Sequence, residues 1–164
     1  MAPAYQGGQH QPMTTHLLIV EDSDLIRARL LVLLGSVDGI SSIVAVATRR
    51  AALDSARRDP PTLVILDLNL PDGQGMEIVQ QLKQLSPTVR IAILTVHAYQ
   101  TVRRLCLSQG ADWFFDKVSQ ADLLLDVVRQ QVALNQMIES NQVTSYACPV
   151  SNSGAGIVEP AKGE

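Results

Sequence analysis

One stretch decides the fold of this chain: Thr62-Leu63-Val64-Ile65-Leu66-Asp67-Leu68-Asn69-Leu70-Pro71-Asp72-Gly73-Gln74-Gly75. The run Leu63–Leu66 is apolar on both faces and too short for a helix, which predicts a buried strand. A Pro-Asp-Gly cluster soon ends it. The strand therefore places the carboxylate of Asp67 at its carboxyl end, the edge of an open α/β sheet where ligands bind. On this stretch alone, an ordinary loop-capping aspartate is the alternative.

Four further apolar runs predict strands, and polar residues follow three of them. The runs are Leu17–Val20 before Glu21-Asp22, Ile43–Val46, Ile91–Leu94 before Thr95, and Trp113–Phe115 before Asp116-Lys117. Apolar residues at helical spacing follow each strand, with Ser23 or Asp24, Thr48 and Ser119 as the predicted starts of three of the helices. The helix over 99–109 has the weakest apolar pattern. Five alternating strands and helices predict an α/β fold with a doubly wound, mostly parallel sheet.

Composition narrows the class of protein. Of the 164 residues 46% are hydrophobic, enough for a core, and the net charge of −3 argues against a general nucleic-acid surface. Two cysteines do not make a disulfide framework. No apolar run approaches the roughly 20 residues that span a bilayer, and nothing resembles a secretory signal. The sequence predicts a soluble, cytoplasmic protein.

The periodic pattern covers only part of the chain. Residues 1–14 are predicted to be a disordered tail, residues 15–138 a single domain, and residues 139–164 a second disordered tail. The last segment is too short for an output domain of usual size.

The strand ends carry complementary chemistry. Glu21, Asp22 and Asp67 would bring three repelling carboxylates to one pocket, so a counter-charge is required. Oxygen ligands of this kind suit Mg²⁺, which also shares its ligands with phosphate oxygens. Thr95 and Lys117 supply the hydroxyl and the ammonium that a phosphoryl group needs. Asp67 is then the predicted nucleophile.

From about residue 14 to 138 the chain resembles the receiver domain of two-component response regulators. Glu21-Asp22 is similar to the family's acidic pair, and Asp67 to its phosphoacceptor, with Pro71 and Gly75 at the usual places after it. Thr95 matches the switch hydroxyl, Lys117 the family's lysine, and Phe114 the switch aromatic position.

The resemblance implies a flavodoxin-like (βα)5 fold with strand order 2-1-3-4-5. It implies that Asp22, Asp67 and the main-chain carbonyl of Asn69 bind Mg²⁺, with Glu21 acting mostly through water. Asn69 and His97 flank the path of the attacking water in this family, so both are expected to tune dephosphorylation. Phosphorylation is expected to draw Thr95 toward Asp67 and let Phe114 turn inward.

Three positions depart from the family pattern. Val118 stands where many relatives have proline, so a cis peptide after Lys117 is not assumed. Val96 stands where a small residue is usual and is expected to narrow access to Asp67. Phe114 lacks the hydroxyl of the common tyrosine.

The preferred function is a stand-alone response regulator. It would accept a phosphoryl group on Asp67 from a histidine kinase or a histidine phosphotransfer protein and signal to a downstream protein target. It would not be an enzyme beyond its own dephosphorylation, and it would bind neither nucleic acid nor a membrane directly. A weak homodimer through the fourth helix, fifth strand and fifth helix is a further expectation.

Three alternatives stay open. The chain could be the receiver fragment of a longer, DNA-binding response regulator. It could be a binding module of the same fold without phosphotransfer. A phosphatase of the haloacid-dehalogenase type also uses a strand-end aspartate, but it places an acidic residue two positions on, where this chain has Asn69.

Overall fold

The computed structural model describes residues 14–145, with side chains to residue 140. The elements in chain order are β1 (Thr15–Val20), α1 (Asp24–Gly35), β2 (Ile40–Val46), α2 (Arg49–Arg58), β3 (Leu63–Leu66), β4 (Asn69–Leu70), β5 (Gly73–Gln74), a 3₁₀ turn (Gly75–Ile78), α3 (Val79–Leu85), β6 (Arg90–Thr95), α4 (Gln100–Ser108), β7 (Trp113–Asp116) and α5 (Ala121–Ser145).

The main sheet has five parallel strands in the order β2-β1-β3-β6-β7. This is the predicted order 2-1-3-4-5 once the strands of the main sheet alone are numbered, so the flavodoxin-like fold is confirmed. The central strand β3 is buried at every position, as its uninterrupted apolar sequence predicts.

Alternate residues of the strands enter two separate cores. On one face, Leu18, Val64 and Ile93 pack under α2, α3 and α4. On the other face, Leu17, Ile65 and Leu94 pack under α1 and α5. A doubly wound sheet needs apolar residues on both faces for this reason.

Side chains cap two helices where the sequence predicts it. Ser23 Oγ accepts from the Ile26 N–H at 3.4 Å, and Thr48 Oγ1 accepts from the Ala51 N–H at 3.1 Å. The prediction that Ser119 starts the last helix is wrong, because α5 begins at Ala121. There the side chain of Gln120 turns back and accepts from the Asp116 N–H at 3.0 Å.

Two features of the chain were not expected from sequence. A two-stranded antiparallel hairpin, β4–β5, pairs Asn69 with Gln74 and Leu70 with Gly73. Helix α5 continues to Ser145, so the boundary predicted at residue 138 comes too early for the helix. The predicted tails over 1–13 and 146–164 lie outside the described residues. In the described part of the chain, no helix is both long and apolar enough to span a membrane.

Candidate phosphoacceptor site

Backbone hydrogen bonds bring the functional residues to one edge of the sheet. The N–H of Asp67 donates to Val20 O at 2.9 Å, which holds the residue directly beside the end of β1. The N–H of Lys117, just beyond β7, donates at 3.0 Å to the carbonyl oxygen of Thr95, the last residue of β6. The parallel register thus extends past the strands and fixes where the polar side chains begin.

Lys117 lies between two buried carboxylates. Its Nζ is 2.6 Å from Asp67 Oδ2 and 2.6 Å from Glu21 Oε2. The three side chains are only 8%, 4% and 2% exposed, respectively. Charges this close attract strongly where water is excluded, so Lys117 holds Glu21 and Asp67 at the sheet edge.

Burial and pairing act against each other in this cluster. Burial raises the pKa of Glu21 above its usual value, more than the hydrogen bond from Lys117 lowers it. For Lys117, burial alone would lower the pKa, but hydrogen bonds to Asp67 and Glu21 together raise it above its usual value. Lys117 therefore stays charged, whereas the ionised form of Glu21 is destabilised by its burial.

The donor set fits a divalent cation. Oxygens of Glu21, Asp22 and Asp67 all lie within 4.8 Å of one another. Asp67 Oδ1 is buried without a hydrogen-bond partner, while Oδ2 is bound to Lys117. A buried carboxylate oxygen without a partner is costly, and one ammonium does not balance three carboxylates. Oxygen ligands in this arrangement are what Mg²⁺ takes, and Asp22 is exposed on the open side.

Thr95 and His97 differ in burial. Thr95 is fully buried, and its Oγ1 accepts from the backbone N–H of His97 at 3.3 Å. The imidazole of His97 is exposed and stacks on Tyr99, with ring centroids 6.2 Å apart. The structure thus joins Thr95 to the backbone of His97 and leaves the His97 ring at the surface.

Phe114 differs from expectation. The sequence predicts a ring that gains burial on phosphorylation, but in this structure it is already 4% exposed, in the core that contains Cys106 and Ala111. Strand β7 pairs Phe114 with Ile93, which sets the ring on the α4 side of the sheet. The inward position is thus available without a phosphoryl group.

The side chains of two residues that depart from the family pattern are exposed. Val118 is 84% exposed and Val96 is 53% exposed, so both side chains point largely into solvent. No cis peptide bond occurs in residues 14–145, so the Lys117–Val118 bond is trans.

Three residues near the site were missed or left unexplained by the sequence. Arg27 donates to Glu21 O at 2.8 Å and to Asp22 O at 3.3 Å, so α1 braces the acidic pair. Gly75 packs on the backbone of Asp67, where an added Cβ would lie 2.1 Å from Asp67 O. Asp72 accepts from two backbone N–H groups of α2. The Asp-Gly pair signalled a turn, and nothing in the sequence signalled this long-range contact.

Comparison with known proteins gives one family. The model of the response regulator receiver domain matches residues 17–129. The transcriptional activator protein ExaE of Pseudomonas putida is 30% identical over 143 residues, which are 85% of this chain and 66% of ExaE. The KDP operon transcriptional regulatory protein KdpE of Escherichia coli is 38% identical over 103 residues, which are 63% of this chain and 44% of KdpE.

A solved structure has the same fold. The signal receiver domain of a putative LuxO repressor protein from Vibrio parahaemolyticus superposes with a TM-score of 0.68 at 26% identity, covering 78% of this chain and 97% of that one. The chain spans less than two thirds of the length of ExaE and of KdpE, whereas it spans nearly all of the isolated receiver domain.

Proposed function

The chain belongs to the response regulator receiver domain family, and on that premise we propose that Asp67 accepts a phosphoryl group from a phosphorylated histidine of a sensor kinase or phosphotransfer protein. One observation carries the proposal. Asp67 presents a buried oxygen, Oδ1, that has no partner, while Lys117 fixes the other oxygen at 2.6 Å. A nucleophile held in one orientation with a free lone pair is ready for in-line attack.

The residues of the pocket have separate parts in the transfer. Asp67 Oδ1 forms the new O–P bond as the N–P bond to the donor histidine breaks, and the histidine nitrogen keeps that electron pair, while Oδ2 stays available to Lys117 and to a bound Mg²⁺. Lys117 and the Thr95 hydroxyl supply a positive charge and a donor for the phosphoryl oxygens. Glu21, Asp22, Asp67 and the carbonyl of Asn69 would hold Mg²⁺, which neutralises charge on the phosphoryl oxygens.

Labelling tests the phosphoacceptor. Incubation with acetyl phosphate and Mg²⁺ should add one phosphoryl group, stable to acid and labile to base and hydroxylamine, as expected of an acyl phosphate. Asp67→Asn should abolish the label, and Asp112→Asn, at the opposite edge of the sheet, should retain it. Labelling of Asp67→Asn at the wild-type level would refute the assignment.

Metal binding tests the acidic pair. Mg²⁺ should bind more tightly in the presence of beryllofluoride, because the ion prefers to share ligands with phosphate-like oxygens. Asp22→Ala should abolish binding, whereas Glu21→Ala should weaken it less, since Glu21 is already bound to Lys117. Unchanged affinity in Asp22→Ala would exclude this site.

Hydrolysis of its own phosphoaspartate is the single enzymatic activity that we propose for the chain. Asn69 is exposed directly beyond Asp67 in the hairpin, and the His97 ring is exposed beyond Thr95. Both are proposed to tune the rate at which water attacks the phosphoaspartate. If His97→Ala leaves the rate and its pH profile unchanged, the histidine has no part in that step.

The signal is proposed to reach a protein partner through α4, β7 and α5. Thr95 would move toward the phosphoryl oxygens. Since Phe114 is already buried, the change would pass mainly through the start of α4, where Thr95 contacts His97 and Tyr99 N donates to His97 O at 2.9 Å. Amide NMR with and without beryllofluoride tests this route, because shifts confined to the Asp67 pocket would exclude it. The same surface is the proposed site of a weak homodimer.

The preferred form is a stand-alone regulator in the cytoplasm. The partial coverage of ExaE, a transcriptional activator, supports a second candidate, the receiver part of a longer DNA-binding regulator. Immunodetection of the native protein in its host separates the two. A species of the mass of this chain supports the stand-alone regulator, and a substantially larger one supports the longer regulator.

A further inference from the structure

The hairpin after Asp67 is fastened to the start of α2. Asp72 lies in the turn between β4 and β5, and its two carboxylate oxygens accept from the first two backbone N–H groups of the helix. The Arg49 N–H donates to Oδ1 at 2.9 Å and the Arg50 N–H donates to Oδ2 at 3.0 Å. These groups have no partner within the helix, so a residue more than twenty positions away caps α2.

The side chain of Arg49 also binds this turn. Its guanidinium donates to the Asp72 carbonyl and pairs with Glu77, which follows the hairpin. Gly73 lies directly against it with φ +130°, and an added Cβ would be 2.4 Å from the guanidinium. The positive φ requires glycine at this position, and the guanidinium of Arg49 packs directly on the turn.

The clamp formed by Asp72 and Arg49 connects the end of β3, which supplies Asp67, to the end of β2, which contacts Glu21. Asp67 ends β3 and leads into the hairpin, which Asp72 ties to α2. Strand β2 leads into the start of α2. The carbonyl oxygen of its last residue, Val46, accepts from the Glu21 N–H at 3.0 Å. The first turn of α2 is therefore fixed to both sides of the proposed metal site.

We propose that Asp72 is a positioning residue for the phosphoacceptor site: by capping α2 it holds the hairpin, and with it the carbonyl of Asn69, in the orientation that binds the metal. This inference rests on the proposed function. Groups that hold metal ligands in place contribute to metal affinity, although they do not touch the metal themselves. The hydrogen bond from the Arg49 N–H is the main cause that lowers the pKa of Asp72, so its carboxylate stays ionised at neutral pH and the clamp is closed there.

A pair of variants separates positioning from plain stabilisation. Asp72→Ala removes the cap that reaches across from the hairpin. Thr48→Ala removes a cap of the same helix end, from Thr48 Oγ1 to the Ala51 N–H at 3.1 Å, without touching the hairpin. Both should lower the unfolding temperature. Only Asp72→Ala should weaken Mg²⁺ affinity, by about 10-fold, the low end for groups that orient metal ligands. Asp72→Asn keeps one acceptor oxygen and should fall between the wild type and Asp72→Ala.

A second measurement does not depend on affinity. In the wild type, saturating Mg²⁺ with beryllofluoride should shift the amide NMR signals of Arg49 and Arg50, whose N–H groups bind Asp72. In Asp72→Ala at saturating ligand these two signals should no longer respond, while those of the Asp67 pocket still shift.

The outcomes distinguish the clamp from the function on which it rests. If beryllofluoride with Mg²⁺ does not bind the wild type, the proposed function fails. If it binds and Asp72→Ala retains wild-type affinity, or Thr48→Ala loses as much affinity as Asp72→Ala, then Asp72 has no positioning role. The proposal would also be overturned if, in the wild type, the amide signals of the Asp67 pocket shift on ligand binding and those of Arg49 and Arg50 do not.

Discussion

Two aspartates at opposite edges of one sheet, Asp67 buried and Asp112 partly buried, have opposite environments. Asp112 precedes β7 at the amino edge and accepts from Lys83 Nζ at 2.9 Å, Arg90 Nη1 at 2.7 Å and the Ile91 N–H at 2.9 Å. Asp67 follows β3 at the carboxyl edge, shares one lysine with Glu21, and keeps an oxygen without a partner.

The difference separates a structural carboxylate from a reactive one. Burial alone would raise the pKa of Asp112, but the hydrogen bonds from Lys83, Arg90 and Ile91 lower it below the usual value. Each oxygen is in use, so Asp112 joins α3, β6 and β7 and has no lone pair aimed at a ligand. Around Asp67 the carboxylates outnumber the cation, and this imbalance is what a metal ion or a phosphoryl group can relieve.

The largest effect is expected where the shared cation is removed. Lys117→Met would leave Glu21 and Asp67 buried beside each other without a counter-charge. In Mg²⁺-free buffer at pH 7 the free energy of unfolding should fall by about 3 kcal/mol, as for other broken buried pairs. Urea unfolding measures it.

The pH dependence identifies the cause of this loss. Without Lys117, burial raises the pKa of Glu21 in the folded state with no cation to oppose it, so the deficit should shrink as the pH falls toward the titration range of Glu21. A deficit that stays constant with pH would mean that Lys117 stabilises the fold by packing instead.

The second largest loss of stability is expected at the amino edge of the sheet. Asp112→Ala would remove three hydrogen bonds and leave Lys83, which is 26% exposed, without its carboxylate. We expect a loss of about 2 kcal/mol in the free energy of unfolding, because Arg90 is more than half exposed and contributes little. Phosphorylation of Asp67 should be unaffected.

The deficit of Asp112→Ala should also shrink in acid, but here the group that titrates is the aspartate itself. The folded pKa of Asp112 is lowered, so its stabilisation is present above the unfolded pKa and disappears as the pH falls through the folded pKa. The unfolding curves of the wild type and Asp112→Ala should therefore converge in acid. Curves that stay parallel below pH 3.8, the usual value for aspartate, would contradict this account.

The same contrast shows which contacts sequence could predict. The strands and the positions of Glu21, Asp67, Thr95 and Lys117 followed from local patterns, because a buried strand is continuously apolar and its end is marked by polar residues. Strand order came from the family resemblance. Parallel strands then bring their ends together whatever the details of packing.

Contacts between distant side chains could not be predicted in this way. The Asp112 cluster and the Asp72 clamp depend on which charged residue meets which across two or three elements, and no spacing in the sequence encodes that. The burial of Phe114 was also missed, since rotamer and packing decide it rather than strand position. The extension of α5 to Ser145 was missed because its last turns are polar and the apolar stripe ends earlier.

A close contact on the side of Asp67 gives the third prediction. Gly75→Ala would place a Cβ 2.1 Å from Asp67 O, a backbone atom that has little room to move. The free energy of unfolding should fall by about 1–2 kcal/mol, as for other overpacked sites. Labelling by acetyl phosphate should slow as well, since Asp67 must shift. Gly35→Ala is the matched control, because no atom lies within 4 Å of the added Cβ there. Equal effects of the two substitutions would exclude the contact as the cause.

The smallest effect, and the one that tests the comparison most finely, is expected from Glu21→Gln. The pKa of Glu21 is raised in the folded state, chiefly by burial, so the ionised form costs stability above the unfolded pKa and the cost disappears as Glu21 takes up its proton. An amide avoids that cost, and Lys117 keeps Asp67 as its partner. At pH 7 in Mg²⁺-free buffer, Glu21→Gln should therefore be more stable than the wild type by about 0.5–1 kcal/mol. The gain should vanish below pH 4.5, the usual value for glutamate. Asp126→Asn, an exposed charge on α5, controls for the change in net charge. A loss of stability at pH 7 would mean that pairing with Lys117 outweighs burial at Glu21, and the carboxyl edge would then resemble the satisfied cluster around Asp112.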